Sequence, residues 1–316
     1  MTPSTIRRVP ALRGIFGASV VASILMLTAG CDKHTETDAP QTTLAGKPRV
    51  LLFLFGDQKD PRVLPLATLA DGQISPIALD SSGWKNFDKL YFSPGTTLSF
   101  YQDGKPVGDA IVRRGMWADG ANALYTLPGC RAHRPLAAVT LSATPRSAVM
   151  LELLATSEPL LAPPLRAGIV PADLDSANAL ATRVAQKEGL TTSARGELDL
   201  VANALAIGAT THPTLVVGYL ERGSGLNGTP RHVFAIGDYV EASQSYVPSF
   251  VHVPGDSLRE FRRVIDHADL TGDGVDEIVL EGWRTGSDSF LVFLAYKDGH
   301  WREVARGATS WCADPG

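Results

Sequence analysis

An unbroken apolar run from Val50 to Phe55, halted at Gly56-Asp57, has the profile of a short buried strand. Downstream, Leu66-Ala67-Thr68-Leu69 and Ile74-Ser75-Pro76-Ile77 flank Asp71-Gly72, while Thr97 to Tyr101 and Gly108 to Val112 flank Asp103-Gly104. Asp-Gly accepts the positive φ angles that match hairpin twist, so each pair predicts an antiparallel hairpin. A further strand pair is expected from Ala137 to Ser142 and from Ala148 to Leu154, turning at Thr144-Pro145-Arg146. Together these strands predict a small antiparallel sheet or open barrel.

Pro159, Pro163, Pro164 and Pro171 then crowd a segment that can carry neither a helix nor a central strand, and it reads as a joint. Beyond it, Asp173 or Asp175 can cap a helix whose apolar positions Ala177, Leu180, Ala181 and Val184 recur at three and four, stopped by Gly189. A second helix is expected from Glu197 to Ile207, with Leu198, Val201, Ala202 and Leu205 on one face and Gly208 at its end. The remainder alternates turns with strands at Thr214 to Leu220, His232 to Ile236, Glu277 to Leu280, Phe290 to Tyr296 and Trp301 to Val304. The fold class expected is α+β, mainly β. It comprises an N-terminal antiparallel β domain over 47–158, a proline-rich linker over 159–171 and a C-terminal α+β domain over 172–316 with one or two helices.

A faint internal correspondence underlies the second half, since Pro213 to Leu220 lies over Asp276 to Trp283 at an offset of 63 residues. Chance similarity between two β-rich segments is the alternative.

The first thirty residues follow a different pattern. Arg7, Arg8 and Arg13 precede an apolar run from Ile15 to Leu27, too short to span a membrane comfortably and arranged as a signal peptide. Its end, Leu27-Thr28-Ala29-Gly30-Cys31, resembles the lipobox of bacterial lipoprotein signal peptides. The resemblance implies cleavage after Gly30 and a lipid-modified Cys31, hence a protein held to a membrane of the cell envelope and facing the periplasm or the exterior. A plain secretory peptide or an uncleaved anchor is the alternative. Residues 31–46 are polar and read as a flexible tether. Removing Arg7, Arg8 and Arg13 leaves 26 Lys and Arg against 33 Asp and Glu, a net charge of −7 with His neutral. That balance argues against nucleic acid and anionic headgroups as partners. An exported compartment permits Cys130 and Cys312 to pair, a closure worth about 4 to 5 kcal/mol in the chain-entropy model; two buried free thiols are the alternative.

The densest chemistry lies at Asp269-Leu270-Thr271-Gly272-Asp273-Gly274-Val275-Asp276-Glu277, an oxygen-rich turn running into an apolar strand. With Asp269 as the first position, Thr271 is third, Asp273 fifth, Val275 seventh through its carbonyl and Glu277 ninth, alternate positions that can point at one calcium ion. Gly274 stands where such a loop turns sharply. Position twelve is Leu280 inside a strand, which excludes an EF-hand. The segment instead resembles the Asp-x-Asx-x-Asp-Gly-x-x-Asp turn of FG-GAP and VCBS-type repeats, with Thr271 replacing Asp or Asn and Glu277 replacing Asp. The likeness covers roughly residues 266–305 in a single good copy and does not imply a complete propeller. It implies calcium as the ligand, with affinity near the millimolar range of extracellular modules. A metal-free turn whose Asp side chains bond backbone amides is the alternative.

No Gly-x-Ser-x-Gly elbow, His-Glu-x-x-His helix, Walker loop, dinucleotide fingerprint or Cys-x-x-Cys pair occurs in the chain. The histidines are scattered singly; His267, two residues before Asp269, is the one placed to reach a metal. Trp283, Phe290, Phe293, Tyr296 and Trp301 are expected to pack between sheets; an exposed subset forming a recognition surface is the alternative. The sequence therefore points to a non-catalytic binding or structural module of the envelope whose partner is an unknown envelope protein or polymer. The rival is an envelope hydrolase using a carboxylate pair that the sequence does not display.

Overall fold

The computed structural model describes residues 47–116, 136–145, 151–161, 170–196, 198–221, 232–254, 260–284 and 289–307, and over them the chain is mostly antiparallel β. The first half contributes β1 (Arg49–Gly56), β2 (Arg62–Ala70), β3 (Gln73–Pro76), α1 (Ser81–Tyr91), β4 (Thr97–Gln102), β5 (Lys105–Arg114), β6 (Ala137–Leu141) and β7 (Leu151–Thr156). Its strands run in the order β1-β7-β4-β5-β6-β2-β3, and a β1–β2 pairing closes all but β3 into a barrel. Both Asp-Gly hairpins form, β2–β3 and β4–β5, with Asp71 and Asp103 at positive φ ahead of Gly72 and Gly104.

The expected pairing of strands around Pro145 does not form. β6 lies between β5 and β2, and β7 between β1 and β4, so barrel closure occupies both edges of each strand. Helix α1 has no clear signal in the sequence pattern, because Ser81-Ser82-Gly83 is a poor helix start. It is secured by the Asp80 carboxylate, which accepts from Gly83 N at 2.7 Å and Ser82 Oγ at 2.8 Å. Phe87, Tyr91 and the adjoining Phe92 are buried among the barrel's inward residues.

The second half contributes β8 (Val170–Pro171), α2 (Leu174–Lys187), a single helical turn α3 (Thr192–Gly196), β9 (Leu198–Leu205), β10 (Thr214–Glu221), β11 (His232–Val240), β12 (Ser245–His252), β13 (Glu260–Ala268), β14 (Glu277–Arg284), β15 (Ser289–Lys297) and β16 (His300–Gly307). They form a five-stranded sheet, β12-β11-β10-β9-β8, and a four-stranded sheet, β13-β14-β15-β16. Helix α2 is as expected: Asp173 caps it by accepting from Ser176 N at 3.0 Å, and Ala177, Leu180, Ala181 and Val184 are buried. The helix expected over 197–207 is instead strand β9, paired with β10 from Leu198↔Glu221 to Leu205↔Thr214. Its apolar spacing suited a helix, but a continuous ladder against β10 pairs one edge of the segment along its whole length, β8 adds partners at Asn203 and Ala204, and Leu198, Ala204 and Leu205 are buried. The correspondence at 63 residues lays β10, the central strand of the five-stranded sheet, over β14, an inner strand of the four-stranded one.

Burial on two faces explains why the strands are so apolar. On β1, Val50, Leu52 and Leu54 point into the barrel, whereas Leu51, Phe53 and Phe55 meet Val279, Leu291 and Phe293 of the four-stranded sheet. That sheet's other face sets Ile278, Leu280, Val292 and Trp301 against Val216, Phe234 and Ile236 of the five-stranded sheet. The outer face of the five-stranded sheet packs on α2 through Leu215, Val217 and Val233. Barrel, sheet, sheet and helix thus succeed one another as layers.

Candidate functional site

The acidic turn connects β13 to β14. Asp269 accepts from Gly272 N at 2.7 Å through Oδ1 and from Gly274 N at 3.1 Å through Oδ2, and Asp273 Oδ1 accepts from Val275 N at 2.9 Å. Gly272 and Gly274 adopt φ of 76° and 88°, the left-handed conformation such a tight turn demands. Glu277 folds back from the start of β14: Oε2 accepts from Leu270 N at 2.8 Å and Thr271 N at 3.1 Å, and Oε1 from Thr271 Oγ1 at 2.9 Å. Val275 is half-buried against the core between the sheets. The fold therefore gathers Asp269, Thr271, Asp273 and Glu277 into one turn ahead of a strand and closes their carboxylates on the turn's own donors. Among the described residues, no three His, Cys, Asp or Glu side chains stand together as a metal-holding group. Cys31, Cys130 and Cys312 lie outside the described residues.

A buried polar layer fastens this turn to the barrel. His267 Nδ1 donates to Asp276 Oδ2 at 2.7 Å, and His267 Nε2 is buried with no hydrogen-bond partner among the described residues. Asp266 Oδ1 accepts from Gly104 N at 3.0 Å, from the tip of the β4–β5 hairpin, and from His267 N at 2.8 Å. Asp276 N donates to Ile207 O at 2.9 Å, and a Cβ on Gly72, at the tip of the β2–β3 hairpin, would lie 3.5 Å from Thr271 O. The histidine singled out as a possible ligand is thus engaged in anchoring the turn.

Burial pushes the Glu277 carboxyl up to about 7, partly opposed by the hydrogen bonds from Thr271 and Leu270, and pushes Asp266 up to about 6. Both groups bind protons more tightly in the folded chain than in the unfolded one. Their stabilisation is complete below the unfolded values, 4.5 and 3.8, and is lost as pH rises through about 7 and 6. Protonated Glu277 is well mimicked by Gln, whose oxygen can take the two amides while its NH₂ donates to Thr271 Oγ1. We expect Glu277→Gln to flatten the fall of melting temperature between about pH 4.5 and 7 and to melt above the parent at pH 8. Parallel pH slopes for the two proteins would show that Glu277 is charged throughout.

Two sites had no signal in the sequence pattern. Asp238 on β11 is 4% exposed and accepts from Thr214 Oγ1 at 2.5 Å, Ser249 Oγ at 2.6 Å and Trp301 Nε1 at 3.0 Å, tying three strands of one sheet to β16 of the other. Farther along the same inter-sheet space is a cleft walled by Val201, Val216, Leu220, Phe234 and Val264, with Arg262 in its lining. His232 beside it is locked, its Nδ1 donating to Tyr219 O at 3.0 Å and its Nε2 accepting from Arg262 N at 3.1 Å. Burial lowers its pKa to about 4, so the ring is neutral and has no free nitrogen for proton transfer. No family model, no curated protein and no solved structure matches this chain.

Proposed function

We propose that this chain is an exported, lipid-anchored protein of the cell envelope that acts as a non-catalytic binding module, with calcium as the ligand of its acidic turn. Residues 47–158 and 172–316 are read as two modules joined by the proline-rich segment 159–171 and sharing the buried face of the four-stranded sheet.

One observation carries the non-catalytic reading. A hydrolase acting through paired carboxylates needs them together in an accessible cleft, yet the two carboxyls with raised pKa, Asp266 and Glu277, are each 2% exposed. Two clefts among the described residues, the inter-sheet one and a polar one beside Lys59 and Arg113, have no Asp or Glu in their linings. An apolar cleft with few polar groups is the shape of a binding site.

The donor types of the turn, carboxylates with a hydroxyl and a carbonyl, suit a hard cation. Glu277, already bonded to Leu270 and Thr271, makes binding weak because it must exchange those donors for the ion. A two-armed experiment tests the proposal. Cys31→Ala is expected to abolish palmitate labelling and to shift the full chain from the membrane pellet to the soluble fraction; a labelled, sedimenting mutant refutes the anchor. Millimolar calcium is expected to raise the melting temperature, and Asp273→Ala to remove that response. Identical melts with and without calcium refute the ligand and leave the anchor standing.

A further inference from the structure

We propose that the inter-sheet cleft is a binding site for a small apolar carboxylate of roughly six to eight carbons, its head held by Arg262 and its body by the aliphatic walls. The inference deepens the reading of the chain as a binding module by naming a ligand class for a site that the acidic turn does not include.

The cleft encloses about 200 Å³. A cavity of about 150 Å³ accommodates benzene, so this one admits a ring or a short chain. Part of the space comes from Gly218, which stands between Val216 and Leu220 on the same face of β10; a Cβ there would meet nothing closer than Val233 O at 3.7 Å. The mouth is marked by Val201, an aliphatic side chain that is 49% exposed on β9.

Arg262 supplies the chemistry. Its side chain is 3% exposed, Nη2 donates to Glu260 Oε1, and Cζ lies 5.5 Å from the centroid of the Phe290 ring. Nε and Nη1 are buried and meet no acceptor among the described residues. A buried donor left without a partner costs about 1 to 3 kcal/mol, so a ligand bringing oxygen acceptors is bound with that cost relieved. The sign of the ligand follows from the charges around it. The charged residues of the lining are Arg262 and Arg263, both cationic, and Arg263 is engaged by Glu281 at 2.5 Å and Glu152 at 2.9 Å. His232 is neutral and fully hydrogen-bonded, and Glu260 and Glu303, the latter at 3.7 Å, meet Arg262 through Nη2 alone, which leaves Nε and Nη1 to meet an anion.

The test uses the full-length Cys31→Ala chain, free of detergent, with octanoate and octanol below their aggregation concentrations as probes. Octanoate is expected to bind by calorimetry and raise the melting temperature, with octanol at least tenfold weaker. Gly218→Val, which fills the cleft without disturbing a charge, should abolish binding of both. Arg262→Met, which keeps the volume, should bring octanoate down to the affinity of octanol. Because Arg262→Met leaves Glu260 with fewer partners and can unfold the chain, Gly218→Val and the probe pair decide the matter by themselves. Equal affinity for octanoate and octanol in the parent overturns the role of Arg262, and undiminished binding by Gly218→Val overturns the location. Absence of binding by either probe overturns the site while leaving the anchor and the calcium experiment untouched.

Discussion

Asp238→Ala is expected to cost about 3 to 5 kcal/mol of folding stability, lowering the melting temperature by on the order of 10 °C. The side chain is a buried acceptor for three donors, two of them fully enclosed and the third, Ser249, half-buried. Thr214 is fully buried, and the Trp301 indole N–H reaches Asp238 across the seam between the two C-terminal sheets. Truncation strands those donors and opens a cavity where β10, β11, β12 and β16 converge. Asp238→Asn is a sharp control. Its single carbonyl can take over the position of Oδ2, which serves both Ser249 and Trp301, while its NH₂ donates to a rotated Thr214 hydroxyl. We expect Asn to cost less than half as much as Ala in chemical denaturation followed by Trp fluorescence. Equal losses would mean that the negative charge matters more than the hydrogen-bond count, and a loss below about 1 kcal/mol for Ala would remove Asp238 from the account of the seam.

The second large effect is at the tip of the β4–β5 hairpin. Gly104 has φ of 70°, and a Cβ there would fall 2.6 Å from His267 Cε1 and 2.8 Å from His267 Nδ1. Gly104→Ala therefore combines a left-handed penalty of about 1 to 2 kcal/mol with overpacking of about 1 to 3 kcal/mol. The ring cannot retreat cheaply, since its Nδ1 is held by Asp276 and the same glycine's N–H is held by Asp266. Gly72→Ala separates the two contributions. Gly72 has φ of 69° in the equivalent Asp-Gly hairpin, but its added Cβ would lie 3.5 Å from Thr271 O, an ordinary contact. The Gly72 variant should show the backbone penalty alone, so Gly104→Ala is expected to lose at least twice as much stability. Matching losses would show that His267 yields without cost and that the polar layer under the turn is soft.

Much of the local structure was legible because it is written in neighbouring residues. Asp71-Gly72 and Asp103-Gly104 predict hairpins from turn chemistry, and both form. Asp173 followed by Ala177, Leu180, Ala181 and Val184 predicts α2 for the same reason. The acidic turn was visible as a turn leading into a strand, and its glycines adopt the left-handed angles expected of them. The 198–205 segment shows where the reading ran out. Leu198, Val201, Ala202 and Leu205 satisfy a helical period, and nothing within the segment reveals that β10 offers a complete ladder. For β6 and β7 the intervening turn pointed to a hairpin, while barrel closure gave each strand other partners. Strands β12 and β13, with their mixed polar sequences, were not anticipated, and β13 carries Arg262, Asp266 and His267.

What the sequence determined by itself is therefore short-range: strand runs, hairpin turns, one capped helix and the backbone course of the acidic turn, each governed by side-chain period and φ preference over a few residues. The tertiary structure alone decided which groups share a buried space. Gly104 meets Asp266 across 162 residues and Trp301 meets Asp238 across 63, so neither pairing leaves a trace in any local window. Those contacts follow from barrel closure and from the stacking of two sheets, because a buried polar group settles on whichever partner the packing brings within hydrogen-bond reach.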